Sequence, residues 1–332
     1  MIRIIAAGLL VSAAAGSAFA ADLPSRKKMP VAPVEASSSC KETASTAVSA
    51  DIFGFSGGTD VSDVGAWALG ATYGGGYKGA GFKPGSFNGH SGQLQASTSF
   101  FPCWEIGPYL TGTTALGKNR GVFGKVAFDA LGVGVENKYK IFGRATHGFG
   151  MTLVWDANYQ GFTQSDSTAA PTVTFSGKQV TSTYKLLIDR ELISGKLWGA
   201  LNAQWDQIWF ERPTNIAPFG NADHLRSSNL TLSTALSYQL VDGFFLGGEA
   251  RYVRTNLGNF FNKFSGDAVY VGPTLFWQAT KSISVSGAWG IQVAGTPKSV
   301  APALLGPQYL ASDLNLATQN QHIAKFKIAY GF

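Results

Sequence analysis

The chain has 332 residues, of which 14% are charged and 41 are glycine, and its formal net charge is +6. A typical soluble domain has about 25% charged residues and about 7% glycine, so the composition argues against an ordinary charge-rich soluble protein. Because there are only 2 cysteines, it also excludes a disulfide-dense secreted scaffold.

Residues 1–20 have the features of a secretory signal peptide. Arg3 precedes an apolar run over residues 4–15, and residues 18–20 read Ala-Phe-Ala, an A-x-A cleavage pattern. The apolar run is shorter than the ~18–20 residues that a membrane-spanning helix requires. The pattern therefore favours export and cleavage over an N-terminal membrane anchor.

Residues 21–64 form a separate N-terminal region. Its first part, SRKKMPVAPVEASSS (25–39), is rich in proline, cations and serine, which is typical of an extended arm. The later part, AVSADIFGFSGG (47–58), is more apolar. Two positions remain open for it, a periplasmic arm or strand and a plug inside the domain that follows.

Residues 65–332 repeat one unit, in which two alternating segments flank a short turn and a longer polar loop follows. The clearest unit is 228–255, where Leu230 and Leu232 alternate with Asn229 and Thr231, and Asp242-Gly243 is a strong hairpin signal. The same unit recurs at 92–114, 131–160, 179–209 and 268–293, and single strands are predicted at 65–75 and 322–332. The pattern predicts about twelve strands.

The spacing of these strands predicts a transmembrane antiparallel up-and-down β-barrel, an all-β fold. Turns within the hairpins are short and the connections between hairpins are long, which is the arrangement of outer-membrane barrels. The last segment, HIAKFKIAYGF (322–332), has an apolar face and a charged face. Because unpaired backbone groups are costly in lipid, we expect this strand to pair with the first and close the barrel.

Two short motifs resemble known exported barrels. The alternating strand that closes on Phe332 looks like the C-terminal recognition signal of Gram-negative outer-membrane β-barrels, and AADLPSRK (20–27) resembles the start of exported barrels and porins of alphaproteobacteria. The resemblance implies an outer-membrane location, contact with outer-membrane lipid, and recognition of Phe332 by the assembly machinery.

A soluble β-sandwich or lipocalin-like barrel is the alternative fold, because alternation alone does not say which face points inward. Aromatic residues near the predicted strand ends favour the membrane barrel, since such residues form girdles at both interfaces. They are Trp104, Tyr159, Trp209, Tyr252, Trp277 and Tyr330.

Charged residues on the face opposite the apolar one are the candidate lumen lining. They are Glu105, Glu136, Lys138, Lys140, Asp156, Lys185, Asp189, Asp206, Glu249, Arg251, Lys325 and Lys327. They favour either a polar pore whose charges act on solutes or an internal salt-bridge network that fills a narrow barrel. Both descriptions can hold in one protein.

The two cysteines, Cys40 and Cys103, are the candidate disulfide. In the proposed topology both lie in the periplasm, an oxidising compartment, so a bond would tie the N-terminal arm to the lower rim of the barrel. The alternative is two separate thiols.

The sequence has no strong signal for catalysis, a cofactor, a metal or nucleic acid. GGGYKG (74–79) formally matches G-x-G-x-x-G but does not open a helix after a buried strand. The four histidines, His90, His147, His224 and His322, are scattered, and their spacing singles out neither a catalytic triad nor a metal site. We therefore expect neither an enzyme nor a cofactor-binding protein.

The function favoured by the sequence is an outer-membrane channel for passive diffusion of small hydrophilic solutes. The main alternative is a structural or surface-interaction barrel with a blocked lumen, and a lipid-modifying enzyme is a third. The sequence does not indicate a solute or an oligomeric state.

Overall fold

A computed structural model describes residues 42, 49–79, 87–118, 125–166, 173–211, 225–297, 314–315 and 319–332. The predicted signal peptide, 1–20, lies outside the described residues, as do Cys40 and His224. In the part of the chain that the structure describes, no helix is long and apolar enough to cross a membrane.

Twelve strands and two short helical turns make up the described structure. The strands are β1 (Trp67–Gly79), β2 (Phe87–Phe101), β3 (Trp104–Lys118), β4 (Lys125–Phe142), β5 (Gly150–Asp166), β6 (Val173–Ile193), β7 (Leu197–Glu211), β8 (Leu225–Val241), β9 (Phe244–Leu257), β10 (Phe264–Gln278), β11 (Ile283–Pro297) and β12 (His322–Gly331). A 3₁₀ turn spans Ala50–Phe53, and helix α1 spans Arg144–His147 between β4 and β5.

The strands form a closed antiparallel barrel in which each strand pairs with its neighbours in sequence. Closure is made by β1 and β12, which pair from Ala68 opposite Gly331 to Tyr77 opposite His322. Backbone hydrogen bonds between Trp67 and Phe332 extend this seam at 3.0 and 3.1 Å. The predicted twelve-stranded barrel is confirmed, and its strands are longer than the sequence pattern indicated.

The apolar face of each strand points outward. On β12, Phe326, Ile328 and Tyr330 are 44–45% exposed, whereas Lys325 and Lys327 are 3–4% exposed. Water would penalise such an outer wall of leucine, valine and aromatic side chains, whereas lipid stabilises it. The orientation therefore excludes the soluble alternative, in which the apolar faces would form the core.

The short turns lie together at one rim, which we call the short-turn rim. Both ends of the barrel, the start of β1 and the end of β12, also lie at this rim because the number of strands is even. Gly243 takes the positive φ (75°) that the Asp242-Gly243 turn requires, and Cys103 has a φ of 68° in the turn between β2 and β3.

Replacing Ile328 with proline should prevent the barrel from closing. The substitution removes a ladder donor from β12, which pairs with both β1 and β11 at this residue, and an unsatisfied backbone group costs several kcal/mol in lipid. We expect loss of the compact, heat-modifiable band on unheated gels after refolding into vesicles. Ile328→Val is the matched control and should keep the band, and a compact Ile328→Pro barrel would contradict the assigned seam.

Candidate functional site

A stretch of the N-terminal region lies inside the barrel. Residues 49–64, called here the internal segment, run through the lumen near the short-turn rim, and Val64 then bridges to Ser99 just before β1 begins. Ile52 and Phe53 are fully buried. Of the two positions that the sequence left open for this region, the described residues occupy the one within the lumen.

Two apolar side chains anchor the internal segment. Ile52 and Phe53 pack in one buried cluster with wall residues near the rim, which are Trp198, Ala200, Ala235, Phe245 and Phe276. Burying each such side chain contributes about 1.5–3 kcal/mol. Gly54 follows with a φ of 79°, and a Cβ there would lie 2.5 Å from Thr274 Cγ2, so only glycine fits this close approach.

Arg144 of α1 is the centre of a buried ion-pair cluster at the rim. Its guanidinium donates to Asp189 of β6 at 2.7 Å and to Asp60 of the internal segment. Lys140 of β4 also pairs with Asp60, and with Glu42 at 2.7 Å. Burial raises the pKa of Asp60, but Arg144 and Lys140 outweigh it and hold that pKa below its ordinary value.

Thr59 joins the internal segment to the same cluster through its backbone and its side chain. Its N–H donates to Asp189 at 2.8 Å and its hydroxyl donates to the same carboxylate at 2.9 Å. The Thr152 hydroxyl of β5 donates to the Thr59 carbonyl at 2.6 Å. Gly150 has no room for a side chain, because a Cβ would lie 2.0 Å from the Thr59 hydroxyl.

The opposite wall holds the other end of the internal segment. Lys327 pairs with Asp51 at 2.8 Å, and Lys325 donates to the Gly54 carbonyl at 2.7 Å. Glu249 accepts the Phe55 N–H and the Ser56 hydroxyl, both at 2.8 Å. The Arg251 guanidinium lies 4.9 Å from the centre of the Phe55 ring.

A second group of wall charges pairs mainly within the wall. Lys138 bridges Glu105 at 3.1 Å and Glu136 at 3.9 Å, and Lys185 pairs with Glu136 at 3.1 Å. Glu105 also accepts two hydrogen bonds from Ser62 at 2.7 Å. Asp156 and Asp206 accept hydroxyl donors from the wall, Tyr109 at 2.6 Å and Thr183 at 2.7 Å.

All twelve charged residues proposed to line the lumen are buried, none above 9% exposed. Seven of them contact the internal segment: Glu105, Lys140, Asp189, Glu249, Arg251, Lys325 and Lys327. The other five, Glu136, Lys138, Asp156, Lys185 and Asp206, contact other wall residues. Sequence reasoning missed Arg144, which lies in a turn rather than on an alternating strand.

Part of the connection between β11 and β12 also lies inside the barrel, toward the other rim. Asn315, Gln319 and Asn320 are buried. Tyr270 donates to the Asn320 carbonyl at 2.7 Å, and Gln319 donates to the Thr255 hydroxyl at 3.0 Å. The described interior is therefore occupied at two levels.

Along β2, inward-facing polar side chains have no hydrogen-bond partner among the described residues. They are Ser91, Gln93, Ser97 and Ser99, and all are buried. Buried polar groups are nearly always satisfied by protein or by ordered water. The β2 wall is consequently a hydrated strip of the lumen that continues from one rim toward the other.

Cys103 is disulfide-bonded in the turn between β2 and β3. Its proposed partner, Cys40, lies outside the described residues, so the pairing stays a prediction.

Peptide mapping of the unreduced protein should recover Cys40 and Cys103 in one cross-linked peptide pair, because they are the only two cysteines of the chain. Reduction should separate the pair. Alkylation of both thiols in the unreduced, folded protein would contradict the predicted bond.

The described histidines do not converge on a reactive group. His90 lies on the outer wall with its Nδ1 2.7 Å from the Tyr73 hydroxyl, His322 packs beside Trp289, and His147 packs against Phe142. Within the described ranges, no group of three or more His, Cys, Asp or Glu side chains is arranged to hold a metal ion.

Residues 46–332 match a family model described as "Family of unknown function (DUF6662)". The chain belongs to this family. Its matched part includes the internal segment and the whole barrel. No curated protein matches the chain.

Among solved structures, this DUF6662 protein is similar to bacterial outer-membrane barrels. The translocator domain of the autotransporter NalP from Neisseria meningitidis matches with a TM-score of 0.56 and 12% identity, over 82% of this chain and 91% of that one. The beta domain of the Bordetella autotransporter BrkA matches with a TM-score of 0.51 and 13% identity, over 80% and 98%. These likenesses show the fold, and the closed barrel with its apolar outer wall belongs to the bacterial outer membrane.

Replacing Arg144 with methionine should release the internal segment. The change leaves Asp189 and Asp60 without their shared cation, and breaking a buried pair typically costs about 3–5 kcal/mol. We expect limited proteolysis to cut within residues 49–64 much faster than in the parent protein. Arg190→Met, at an exposed arginine of β6, is the control and should cut no faster than the parent, whereas equal rates for both variants would contradict the role of Arg144.

Proposed function

We propose that this protein is an outer-membrane channel for small hydrophilic solutes, closed in the described state by its internal segment. One observation carries the proposal: the obstruction of the lumen is a segment outside the wall, held largely by hydrogen bonds and ion pairs. The twelve-stranded wall itself is continuous and has a polar interior. The proposal differs from free diffusion through a permanently open barrel, because the closed state has to open first.

The chemistry of the wall supports an open state. If the internal segment leaves, seven wall residues exchange its backbone and side-chain groups for water, and charged groups are well solvated in a water-filled lumen. Only Ile52 and Phe53 lose an apolar environment. A lumen built to stay sealed is more economically filled by apolar wall side chains, as in small eight-stranded barrels.

The solute class follows from the lining. Cations and acids are interspersed around the interior, so neither sign of charge dominates the field. The hydrated strip on β2 presents hydroxyl and amide groups without charge. We therefore expect passage of small hydrophilic solutes with weak selection by charge.

A structural barrel with a blocked lumen is the second candidate. It is favoured by the occupation of the interior at two levels and by the tight fit beside the internal segment. The cavity between Phe55, Gly57 and β6–β9 has a volume of about 20 Å³, which is room for about one water molecule. The two candidates differ in whether removing the internal segment produces a conducting pore.

The C-terminal strand supports the expected recognition by the outer-membrane assembly machinery. Phe332 is half exposed, and its ring stacks on Tyr330 with a centroid distance of 5.7 Å. The aromatic pair is therefore accessible from outside the barrel at the short-turn rim.

Single-channel recording in a planar bilayer tests the proposal. A barrel lacking residues 21–64 should give discrete conductance steps, whereas the chain from residue 21 should open rarely, because its internal segment occupies the lumen. Both proteins must first show heat-modifiable folding in vesicles. A folded, inserted, truncated barrel without steps would contradict the channel and favour the structural barrel.

A disulfide lock provides the matched control. The hydroxyl oxygens of Ser56 and Ser233 are 2.7 Å apart, so Ser56→Cys with Ser233→Cys can bond the internal segment to β8. The oxidised double variant should lose the rare openings and regain them on reduction. The parent protein and Ser56→Cys alone, treated in the same way, separate this lock from reduction of the native cysteines.

A further inference from the structure

The outer wall has a recess floored by glycine. Tyr73, Gly92, Gly112, Leu131 and Gly161 lie directly opposite one another across β1 to β5, in one outward-facing row. The cavity along this row has a volume of about 610 Å³. We call it the glycine recess.

Packing inside the protein does not require these glycines. A Cβ at Gly92 or Gly161 would meet no atom within 4 Å, and one at Gly112 would meet none nearer than 3.8 Å. Glycine in a strand costs stability, and where it is retained it often marks a close approach by another molecule. In the next row toward the short-turn rim, Leu94 and Leu110 protrude into lipid, so the glycines form a step in the wall.

A row of polar side chains borders the recess on the side of the long loops. His90, Thr114, Asp129 and Thr163 lie opposite one another in register and face outward. Asp129 is ten residues along β4 from Tyr139, which for a tilted strand is about 25 Å, the height of the apolar band of an outer-membrane barrel. The polar row therefore lies at the level of the lipid headgroups, and the recess lies just below it.

Asp129 differs from other outward-facing acids in its cross-strand neighbours. Glu211 lies opposite Lys178, and Asp267 lies opposite Arg254. Asp129 instead lies between Thr114 and Thr163. An acid on a lipid-facing wall is costly and usually functional, and an ionised carboxylate only accepts hydrogen bonds.

We propose that the glycine recess binds a glycolipid of the outer leaflet. Its acyl chains lie over Gly92 and Gly112, and sugar hydroxyls of its headgroup donate to Asp129, with the Thr114 and Thr163 hydroxyls and His90 beside it. Hydroxyl donors suit this carboxylate, whereas a bare phosphate would be repelled by it. The site is on the outer wall and does not depend on whether the lumen conducts.

Native mass spectrometry of the full chain, delipidated in mild detergent, tests the site. The probes are lipid A, which is an acylated disaccharide, phosphatidylethanolamine and phosphatidylglycerol, offered at equal concentration. The parent protein should retain lipid A in preference to both phospholipids. Equal retention of all three lipids, or preference for phosphatidylethanolamine through its ammonium group, would overturn the proposal.

Two variants locate the binding. Asp129→Asn should retain about tenfold less lipid A, the loss expected for one charge-assisted hydrogen bond. Gly92→Leu with Gly112→Leu should fill the recess without strain, because both positions are open, and should reduce retention of lipid A by a similar factor.

Matched controls exist on the far wall. Gly248 is an outward-facing glycine of β9 whose added Cβ would meet only the Gly272 carbonyl, at 3.8 Å. Asp267 is an outward-facing acid that accepts from Tyr252 at 3.1 Å. Gly248→Leu and Asp267→Asn should bind lipid A as the parent does. Loss in these controls equal to that in the recess variants, or no loss in the recess variants, would overturn the proposal.

Discussion

The structure depends on satisfying every backbone hydrogen bond of a sheet immersed in lipid. A sheet with free edges cannot meet this requirement, so β12 returns to β1 and the backbones of Trp67 and Phe332 bond each other at the seam. Closure fixes the interior and exterior of every strand at once. The side-chain alternation then gives each face its own solvent, lipid outside and a polar lumen inside.

Closure also encloses charged side chains that need partners. Wall lysines and carboxylates satisfy one another on β3 to β6, but Lys325 and Lys327 face partners on the internal segment, and so does Asp189 through Thr59. The internal segment is therefore both an obstruction of the lumen and part of its electrostatic balance. Releasing it is compatible with folding only if water takes its place.

The strands, the hairpins and the inward charges could be predicted from sequence because they repeat every two residues. A period of two assigns Lys138 and Lys140 to one face without any knowledge of the fold. The contacts of the internal segment could not be predicted, since they join residues far apart in sequence: Thr59 and Asp189 are separated by 130 positions and Asp51 and Lys327 by 276. Arg144 was missed for a related reason, because a turn residue has no periodic pattern to indicate burial.

The most direct measurement of the central claim is hydrogen exchange of the internal segment in the lipid-inserted protein. The Phe55 and Thr59 amides donate to the buried carboxylates of Glu249 and Asp189, so peptides covering residues 49–64 should exchange slowly, on the scale of the barrel strands. Exchange of these peptides at the rate of an unstructured chain would place the segment outside the lumen and contradict the closed state.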